Sequence, residues 1–278
     1  MLAKGNARAV TASRTIRIHE FSGATRRDAE AEVIAEASVG LTVNGNAWFS
    51  FLCTPLDLEA LAVGFLFNEG VISTRAEVTS VHVCARQENV DLCLDRAVPR
   101  PASWKRTSGC GGGVTMSTGG GEEGPGPDPP FSEEGRLPIT PEGIGRLSAA
   151  LLQRQELYGA TGGVHMSALS DGERLVATAE DIGRHNTLDK IAGRCLLEGI
   201  GDRRHAVVTT GRVSSEMIQK ARRIGVRLVV SRTSPTARSI ELADRWGMTL
   251  VGYARRDRFL AYAHADRIAA SDSHQKNQ

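Results

Sequence analysis

The sequence has few cysteines, few aromatic residues and no long apolar run. No stretch approaches the roughly 18 uninterrupted apolar residues of a membrane-spanning helix, and the first 17 residues lack the apolar core of a secretory signal. Five cysteines at irregular spacing do not suit a disulfide framework. Only 5% of the chain is aromatic, 24% is charged and 41% is hydrophobic. We therefore expect a cytoplasmic protein whose 278 residues form one large domain or two ordinary ones.

Sequence motifs for metal sites and common nucleotide sites are also missing. There is no C-x-x-C, no H-x-x-x-H, and no H-x-E followed by P-C-x-x-C, which argues against zinc hydrolysis or deamination. Neither a Walker A sequence nor a G-x-G-x-x-G after a strand occurs, so a P-loop and a Rossmann dinucleotide site are excluded. We expect no protein-bound metal.

The net charge of +2 hides an uneven distribution of charged residues. Residues 1–202 carry 19 basic and 26 acidic side chains, whereas residues 203–238 carry nine basic side chains and a single acidic one, Glu216. Residues 239–278 are nearly balanced, with six basic and five acidic side chains. The basic block lacks interleaved aromatic residues and a recognised nucleic-acid-binding motif, so an anionic small molecule is favoured over nucleic acid as its partner.

Composition divides the chain into five segments. Residues 111–130 contain eight glycines and four prolines, a composition that excludes regular structure. We predict a weakly ordered segment over 1–35, a β-rich part over 36–116 that ends in the loop carrying Cys110, a flexible loop over 117–138, a C-terminal α/β part over 139–268, and a polar tail over 269–278.

Local patterns predict the elements of these parts. Asn44-Gly45 favours a turn between two strands, and Thr-Pro pairs at residues 54 and 140 are typical of helix starts. A hairpin is predicted over 164–179 and a helix from Asn186. Strands then alternate with helices, a pattern that predicts a parallel sheet with right-handed crossovers. The predicted strands are 206–210, 226–231 and 248–252, and the predicted helices are 214–224 and 236–246.

An arginine follows each of the three predicted parallel strands. These are Arg212, Arg232 and Arg255, and the ends of parallel strands meet at one edge of a sheet. Guanidinium groups suit bidentate recognition of phosphate, and aromatic rings give stacking surfaces for a base or a pterin. We predict that this edge binds a polyphosphorylated ligand. The last strand end continues as Tyr253, Ala254, Arg255, Arg256, Asp257, Arg258 and Phe259.

Cys110 is the candidate for covalent chemistry. It has glycine on both sides in the sequence TSGCGGG, which would leave its thiol accessible, whereas Cys53 and Cys195 lie among apolar residues. One interpretation is a nucleophilic or sulfur-carrying thiol. The alternative is a small residue in a flexible loop.

Polar residues cluster between a predicted strand and a predicted helix, in the sequence EDIGRHN over residues 180–186. These residues satisfy the free amides of a helix start, with Arg184 paired to Asp181, or they form a site in which Asp181 or His185 orients or protonates a substrate. The residues alone leave both interpretations open.

Six stretches together resemble the FdhD/NarQ family of formate dehydrogenase accessory proteins. They follow the family's order over roughly residues 36–265, and a match of that extent is specific. The stretches are TPLDLEALAVGFLFNEG from Thr54, TSGCGGG from Thr107, TGGVHM from Thr161, EDIGRHNTLDK from Glu180, TGRVSSEM from Thr210 and LVGYARRDRF from Leu250.

The resemblance implies a fold and a function. The fold would be an α/β, cytidine deaminase-like mixed sheet with flanking helices and no zinc site, with a parallel βαβ C-terminal unit and a smaller N-terminal β-rich part. Family members take persulfide sulfur from a cysteine desulfurase and pass it to the molybdenum bis(pterin guanine dinucleotide) cofactor of formate dehydrogenase, and they form homodimers. The persulfide-bearing cysteine corresponds to Cys110, and the cofactor-binding segment corresponds to Tyr253 through Arg258, to which we add Arg212.

One departure from the family pattern bears on mechanism. Some members carry C-x-x-C in the cysteine loop, whereas Gly113 occupies the second cysteine position here. A relay between two loop cysteines is thereby excluded. A mechanism centred on Cys110 alone remains, unless Cys84 or Cys93 reaches that loop in the folded chain. Gly113 also leaves open the alternative of a chaperone that binds and delivers the cofactor without sulfur transfer.

Overall fold

The computed structural model describes residues 11–102, 104–106, 114–116, 137, 139–201 and 205–269. Over these ranges the chain forms helices and several β-sheets, which makes it a mixed α/β fold. No helix in these ranges is long and apolar enough to cross a membrane.

The strands are β1 Ser13–Ser22, β2 Thr25–Ile34, β3 Ala37–Val43, β4 Asn46–Cys53, β5 Val78–Val83, β6 Asn89–Leu94, β7 Trp104–Arg106, β8 Val114–Met116, β9 His165–Ser170, β10 Leu175–Asp181, β11 Ala206–Thr209, β12 Leu228–Ser231, β13 Thr249–Gly252 and β14 Leu260–Ala263. The helices are α1 Leu58–Asn68, α2 Pro141–Gln153, α3 Glu156–Thr161, α4 Arg184–Glu198, α5 Ser215–Ile224 and α6 Ala237–Arg245.

The prediction of weak order over 1–35 is wrong for residues 13–34, the part that the structure describes as two strands. Strands β1 and β2 form an antiparallel hairpin whose turn contains Gly23 at a φ of +61°. Most of its side chains are exposed, and opposite charges face each other across the strands, such as Arg27 and Glu20 at 2.6 Å. The high polar content hid these strands from a prediction based on apolar alternation, because neither face of the hairpin is deeply buried.

A four-stranded sheet in the order β4-β3-β6-β5 forms the N-terminal β-rich part. The predicted turn at Asn44-Gly45 connects β3 to β4, and both residues have positive φ. The helix predicted from Thr54-Pro55 begins later, at Leu58, after Asp57 in a left-handed conformation. Thr54 is instead fully buried and bonds to the chain around Asp181, so that the Thr-Pro pair connects two parts of the fold.

A six-stranded sheet in the order β10-β9-β11-β12-β13-β14 forms the C-terminal part. Strands β11, β12 and β13 are parallel, as predicted, with α5 and α6 as the crossovers. Strands β9, β10 and β14 run antiparallel to their neighbours and make the sheet mixed. The carboxyl ends of β10, β11, β12 and β13 therefore lie at one edge, where β9 begins.

The two parts share one hydrophobic core. A single cluster of buried residues runs from β3, β4 and α1 to α4, α5 and the near face of the six-stranded sheet. Helices α1 and α4 cross in close contact, because a Cβ added at Gly64 would lie 1.8 Å from the Asp189 carbonyl oxygen and one at Gly193 would lie 1.9 Å from the Ala60 carbonyl oxygen. A second cluster packs α2 on the other face of that sheet. The predicted loop at 117–138 falls outside the described residues except for Leu137.

Candidate functional site

The carboxyl edge of β11, β12 and β13 carries the arginines that the sequence predicted there. Arg212 follows β11 and is exposed, Arg232 follows β12 and is half-buried, and Arg255 follows β13 and is exposed. The strand ends are tied together, since the Ser231 hydroxyl donates to the Gly211 carbonyl oxygen at 2.7 Å. We call this group of residues, with the turn over 253–258, the arginine edge.

The turn over 253–258 presents its polar side chains to solvent. Tyr253 is 44% exposed and holds a left-handed φ of 51°, which is uncommon for a residue with a side chain. Ala254 is fully buried, and its amide bonds to the Ser231 carbonyl oxygen at 2.9 Å. The Arg255 amide donates to the Arg258 carbonyl oxygen at 2.7 Å and closes the turn. One turn therefore exposes an aromatic ring and three arginine side chains.

Arg232 and Arg255 are held close together. The Nη1 atom of Arg255 donates to the Arg232 carbonyl oxygen at 2.8 Å and to the Ala254 carbonyl oxygen at 2.9 Å. The Nη1 atom of Arg232 lies 3.5 Å from that same Ala254 oxygen. Burial, reinforced by the positive charge of Arg255, lowers the pKa of Arg232. Within the described part of the chain, no carboxylate lies within 4.0 Å of either guanidinium group.

A second group of cations lies where β9 begins. Burial lowers the pKa of His165, and the positive charges of Arg184 and Arg212 lower it further. Arg184 is 4% exposed and packs against Gly211, where an added Cβ would lie 3.0 Å from the Arg184 Cβ. The carboxyl edge of the sheet is therefore cationic over neighbouring strands.

Asp181 has a structural role. Its carboxylate is fully buried, pairs with Lys190 at 2.7 Å and accepts the Thr54 amide at 3.1 Å. The other carboxylate oxygen accepts the Gly183 amide and the Asn186 side chain, both at 2.8 Å. Helix α4 begins at Arg184 rather than at Asn186. The polar segment therefore joins the start of α4 to the chain leading into α1, which favours a structural role. Its details differ from the prediction, because the carboxylate of Asp181 pairs with Lys190 and no described side chain caps α4.

His185 is unsuited to donate a proton at neutral pH. It is 5% exposed, and its Nε2 lies 3.4 Å from the Ser214 hydroxyl. Burial, together with the positive charges of Lys220 and Arg184, lowers its pKa to about 3. The imidazole is therefore neutral in the folded protein at pH 7.

Cys110 lies outside the described residues, within the stretch 107–113. The strands on either side of that stretch pair with each other, with Arg106 opposite Val114. Cys53 and Cys195 are buried, as expected, and burial raises the pKa of Cys53 to about 12. Cys84 is half-buried and Cys93 is exposed. Among the described residues, no three His, Cys, Asp or Glu side chains lie together in a way that could hold a metal ion.

A cleft of about 360 Å³ opens elsewhere on the molecule. Its walls come from the residues leading into α1, the end of β5 and the C-terminal half of α4, including Leu56, Arg194 and Glu198. None of these residues belongs to the arginine edge.

Sequence reasoning missed the role of α2 at this edge. Ser148 is fully buried, and its hydroxyl contacts both Arg232 at 3.2 Å and the Ala254 carbonyl oxygen at 3.1 Å. The available signal was a serine at the spacing of the buried residues Ile144, Leu147 and Leu151, because a polar residue on an apolar helix face needs a partner. The partner itself lies more than 80 residues away along the chain.

Comparison with known proteins gives one consistent result. Residues 34–269 match the profile of the FdhD/NarQ family. The chain is 33% identical over 251 residues to the sulfur carrier protein FdhD of Bacillus subtilis strain 168, covering 86% of this chain and 91% of that protein. It is also 33% identical over 274 residues to the sulfur carrier protein FdhD of Bacillus licheniformis, covering 94% of this chain and 98% of that protein. The crystal structure of a protein from Desulfotalea psychrophila, assigned as a formate dehydrogenase accessory protein, superposes with a TM-score of 0.74 at 27% identity, over 93% of this chain and 100% of that one.

Proposed function

This chain belongs to the FdhD/NarQ family, and from that membership we propose that it is a cytoplasmic sulfur carrier required for formate dehydrogenase activity. Cys110 takes sulfur from the persulfide of a cysteine desulfurase and passes it to the molybdenum bis(pterin guanine dinucleotide) cofactor, which is the substrate. The observation that carries the proposal is the match over residues 34–269, which includes the Cys110 segment and the arginine edge. The names of the Bacillus relatives support the same role.

Sulfur loading is a thiol–persulfide exchange. The Cys110 thiolate attacks the outer sulfur of the donor persulfide, the sulfur–sulfur bond of the donor breaks, and its electron pair leaves on the donor cysteine. In the transfer step, the persulfide bond on Cys110 breaks with its electron pair on Cys110. The outer sulfur would bond to the acceptor centre of the cofactor substrate, which would be oxidised by two electrons as that sulfur is reduced to sulfide. Cys110 is then a thiolate again.

The charges of the arginine edge support the binding of the phosphate groups of this substrate. This edge combines Arg212, Arg232 and the turn over 253–258, and none of these guanidinium groups has a carboxylate within 4.0 Å among the described residues. The paired N–H donors of a planar guanidinium group match the geometry of two phosphate oxygens, and the exposed ring of Tyr253 can stack on guanine or pterin. In this proposal Arg212, Tyr253, Arg255 and Arg258 bind the cofactor, with the Ala254, Arg256 and Asp257 positions completing the turn.

Two further properties follow from the family resemblance. We propose that the chain acts as a homodimer and that its mixed sheet is related to the cytidine deaminase fold without the zinc site. The mixed six-stranded sheet with helices on both faces supports the mixed-sheet part of the second point.

Intact-mass spectrometry tests the loading step. After incubation with a cysteine desulfurase and cysteine, we expect the chain to gain the mass of one sulfur atom at Cys110. Cys110→Ala should abolish the gain, whereas Cys93→Ala should not, because the proposed role puts the persulfide on Cys110. If the wild-type chain binds the cofactor and formate dehydrogenase becomes active while no sulfur is gained, the chaperone alternative replaces this proposal.

A further inference from the structure

Helix α2 contacts the turn of the arginine edge at two points. The Ser148 hydroxyl donates to the Ala254 carbonyl oxygen at 3.1 Å. One helical turn earlier, the backbone at Gly145 approaches the turn so closely that an added Cβ would lie 1.9 Å from the Arg256 carbonyl oxygen. The position of the turn over 253–258 is therefore set by α2 rather than by the strand alone.

Ser148 also holds Arg232. It is fully buried, and its oxygen accepts a hydrogen bond from Arg232 Nη1 at 3.2 Å while donating to Ala254. Arg255 reaches the same Ala254 oxygen at 2.9 Å. One buried hydroxyl and one carbonyl oxygen thus bring two guanidinium groups together.

Two like charges in this arrangement repel each other. Burial and the nearby charge of Arg255 lower the pKa of Arg232, and within the described ranges no carboxylate lies within 4.0 Å of either group. The groups that hold them together are neutral. A bound dianion would relieve the repulsion between the two positive charges and accept hydrogen bonds from the remaining N–H donors of both guanidinium groups.

We propose that Ser148 is a positioning residue that holds Arg232 and Arg255 together as a paired site for a diphosphate group. The inference rests on the cofactor-binding half of the proposed function and extends it to a buried helix residue outside the arginine edge. Ser148 acts through Arg232 and through the Ala254 carbonyl, and it does not touch the ligand.

Titration calorimetry with inorganic pyrophosphate tests the proposal on the full chain. We expect Ser148→Ala to bind pyrophosphate about tenfold more weakly than the wild type, the change that follows from the loss of one hydrogen bond of ordinary strength. The matched control is Ser170→Ala, another fully buried serine at the opposite edge of the same sheet. It should melt at a lower temperature but bind pyrophosphate as the wild type does.

A double-mutant cycle separates positioning from general destabilisation. If Ser148 acts through Arg232, Ser148→Ala should weaken binding much less in an Arg232→Gln background than in the wild type. Additive losses in the cycle would overturn the proposal. The proposal would also be overturned if Ser148→Ala bound pyrophosphate with the affinity of the wild type, or if the wild type showed no measurable pyrophosphate binding. Should Ser148→Ala fail to fold, unchanged affinity in Arg232→Gln would overturn it.

The sulfur-loading assay keeps this inference distinct from the proposed function. Ser148→Ala should gain sulfur at Cys110 as the wild type does, because loading precedes transfer to the bound cofactor. Loss of loading in the wild type contradicts the sulfur-carrier role, whereas loss of pyrophosphate binding with intact loading contradicts only the anion site.

Discussion

His185 is buried beside the positive charges of Lys220 and Arg184, and its pKa is lowered from 6.5 to about 3. Between those values the unfolded chain binds a proton that the folded chain does not, so stability falls as the pH decreases from about 6.5 towards 3. The lowered pKa of His165 acts in the same direction. We expect His185→Gln to flatten this decline by at most about 1.4 kcal/mol per pH unit. Denaturant unfolding at several pH values measures the slope.

The control for His185 is an exposed histidine. His19 lies in the β1–β2 hairpin, where its exposed ring contacts Asp28 at 2.7 Å. His19→Gln removes no buried group, because the His19 side chain is 55% exposed, so it controls for the effect of the substitution itself. Equal slopes in wild type and His185→Gln would show that the imidazole is not excluded from water as described.

Residue types were predictable here, but their partners were not. The sequence indicated that Asp181 and His185 lie between a strand and a helix, and the structure has Asp181 as the last residue of β10 and His185 in the first turn of α4. It could not decide between structure and catalysis, because the Thr54 amide that Asp181 binds lies 127 residues away along the chain. Burial by distant elements decides the chemistry of such groups.

Helix α2 determines the position of the turn over 253–258. An added Cβ at Gly145 would lie 1.9 Å from the Arg256 carbonyl oxygen, so Gly145→Ala must push the turn away from the helix. We expect roughly tenfold weaker pyrophosphate binding, because Arg255 and Arg232 would lose their shared geometry. Gly159→Ala in α3 is the control, since a Cβ there meets nothing within 4 Å. Unchanged binding in Gly145→Ala would show that the turn is positioned by other contacts.

The crossing of α1 and α4 depends on glycine. A Cβ at Gly193 would lie 1.9 Å from the Ala60 carbonyl oxygen, and backbone cannot move aside as a flexible side chain can. We expect Gly193→Ala to lower the free energy of unfolding by roughly 1–3 kcal/mol despite the better helix propensity of alanine. Guanidinium chloride titration measures the loss. A variant as stable as the wild type would contradict the close crossing.

Elements with strong periodicity followed the sequence predictions, and elements without it did not. The alternation of strands and helices after residue 200 predicted the parallel strands β11, β12 and β13. The Thr140-Pro141 start of α2 was also confirmed, since Thr140 accepts the Gly143 amide. The β1–β2 hairpin and the start of α1 were missed. A polar hairpin lacks an apolar face, and the residues before α1 are fixed by contacts with Asp181 rather than by local propensity.

The two parts of the molecule are joined by packing, not by a linker alone. One core connects the N-terminal sheet through α1 and α4 to the C-terminal sheet. Composition predicted a boundary at the glycine- and proline-rich stretch but could not predict that the parts on either side pack together. The arginine edge therefore lies on a sheet that is packed on both faces, the kind of support that positions charged side chains for recognition.

Transfer of labelled sulfur tests the central claim most directly. The chain is loaded at Cys110 with radiolabelled sulfur, freed of desulfurase, and mixed with the unsulfurated cofactor. We predict that the label leaves the protein, appears on the cofactor, and accompanies activation of formate dehydrogenase, while Cys110→Ala transfers none. Activation of the dehydrogenase with the label still on the protein would contradict the account.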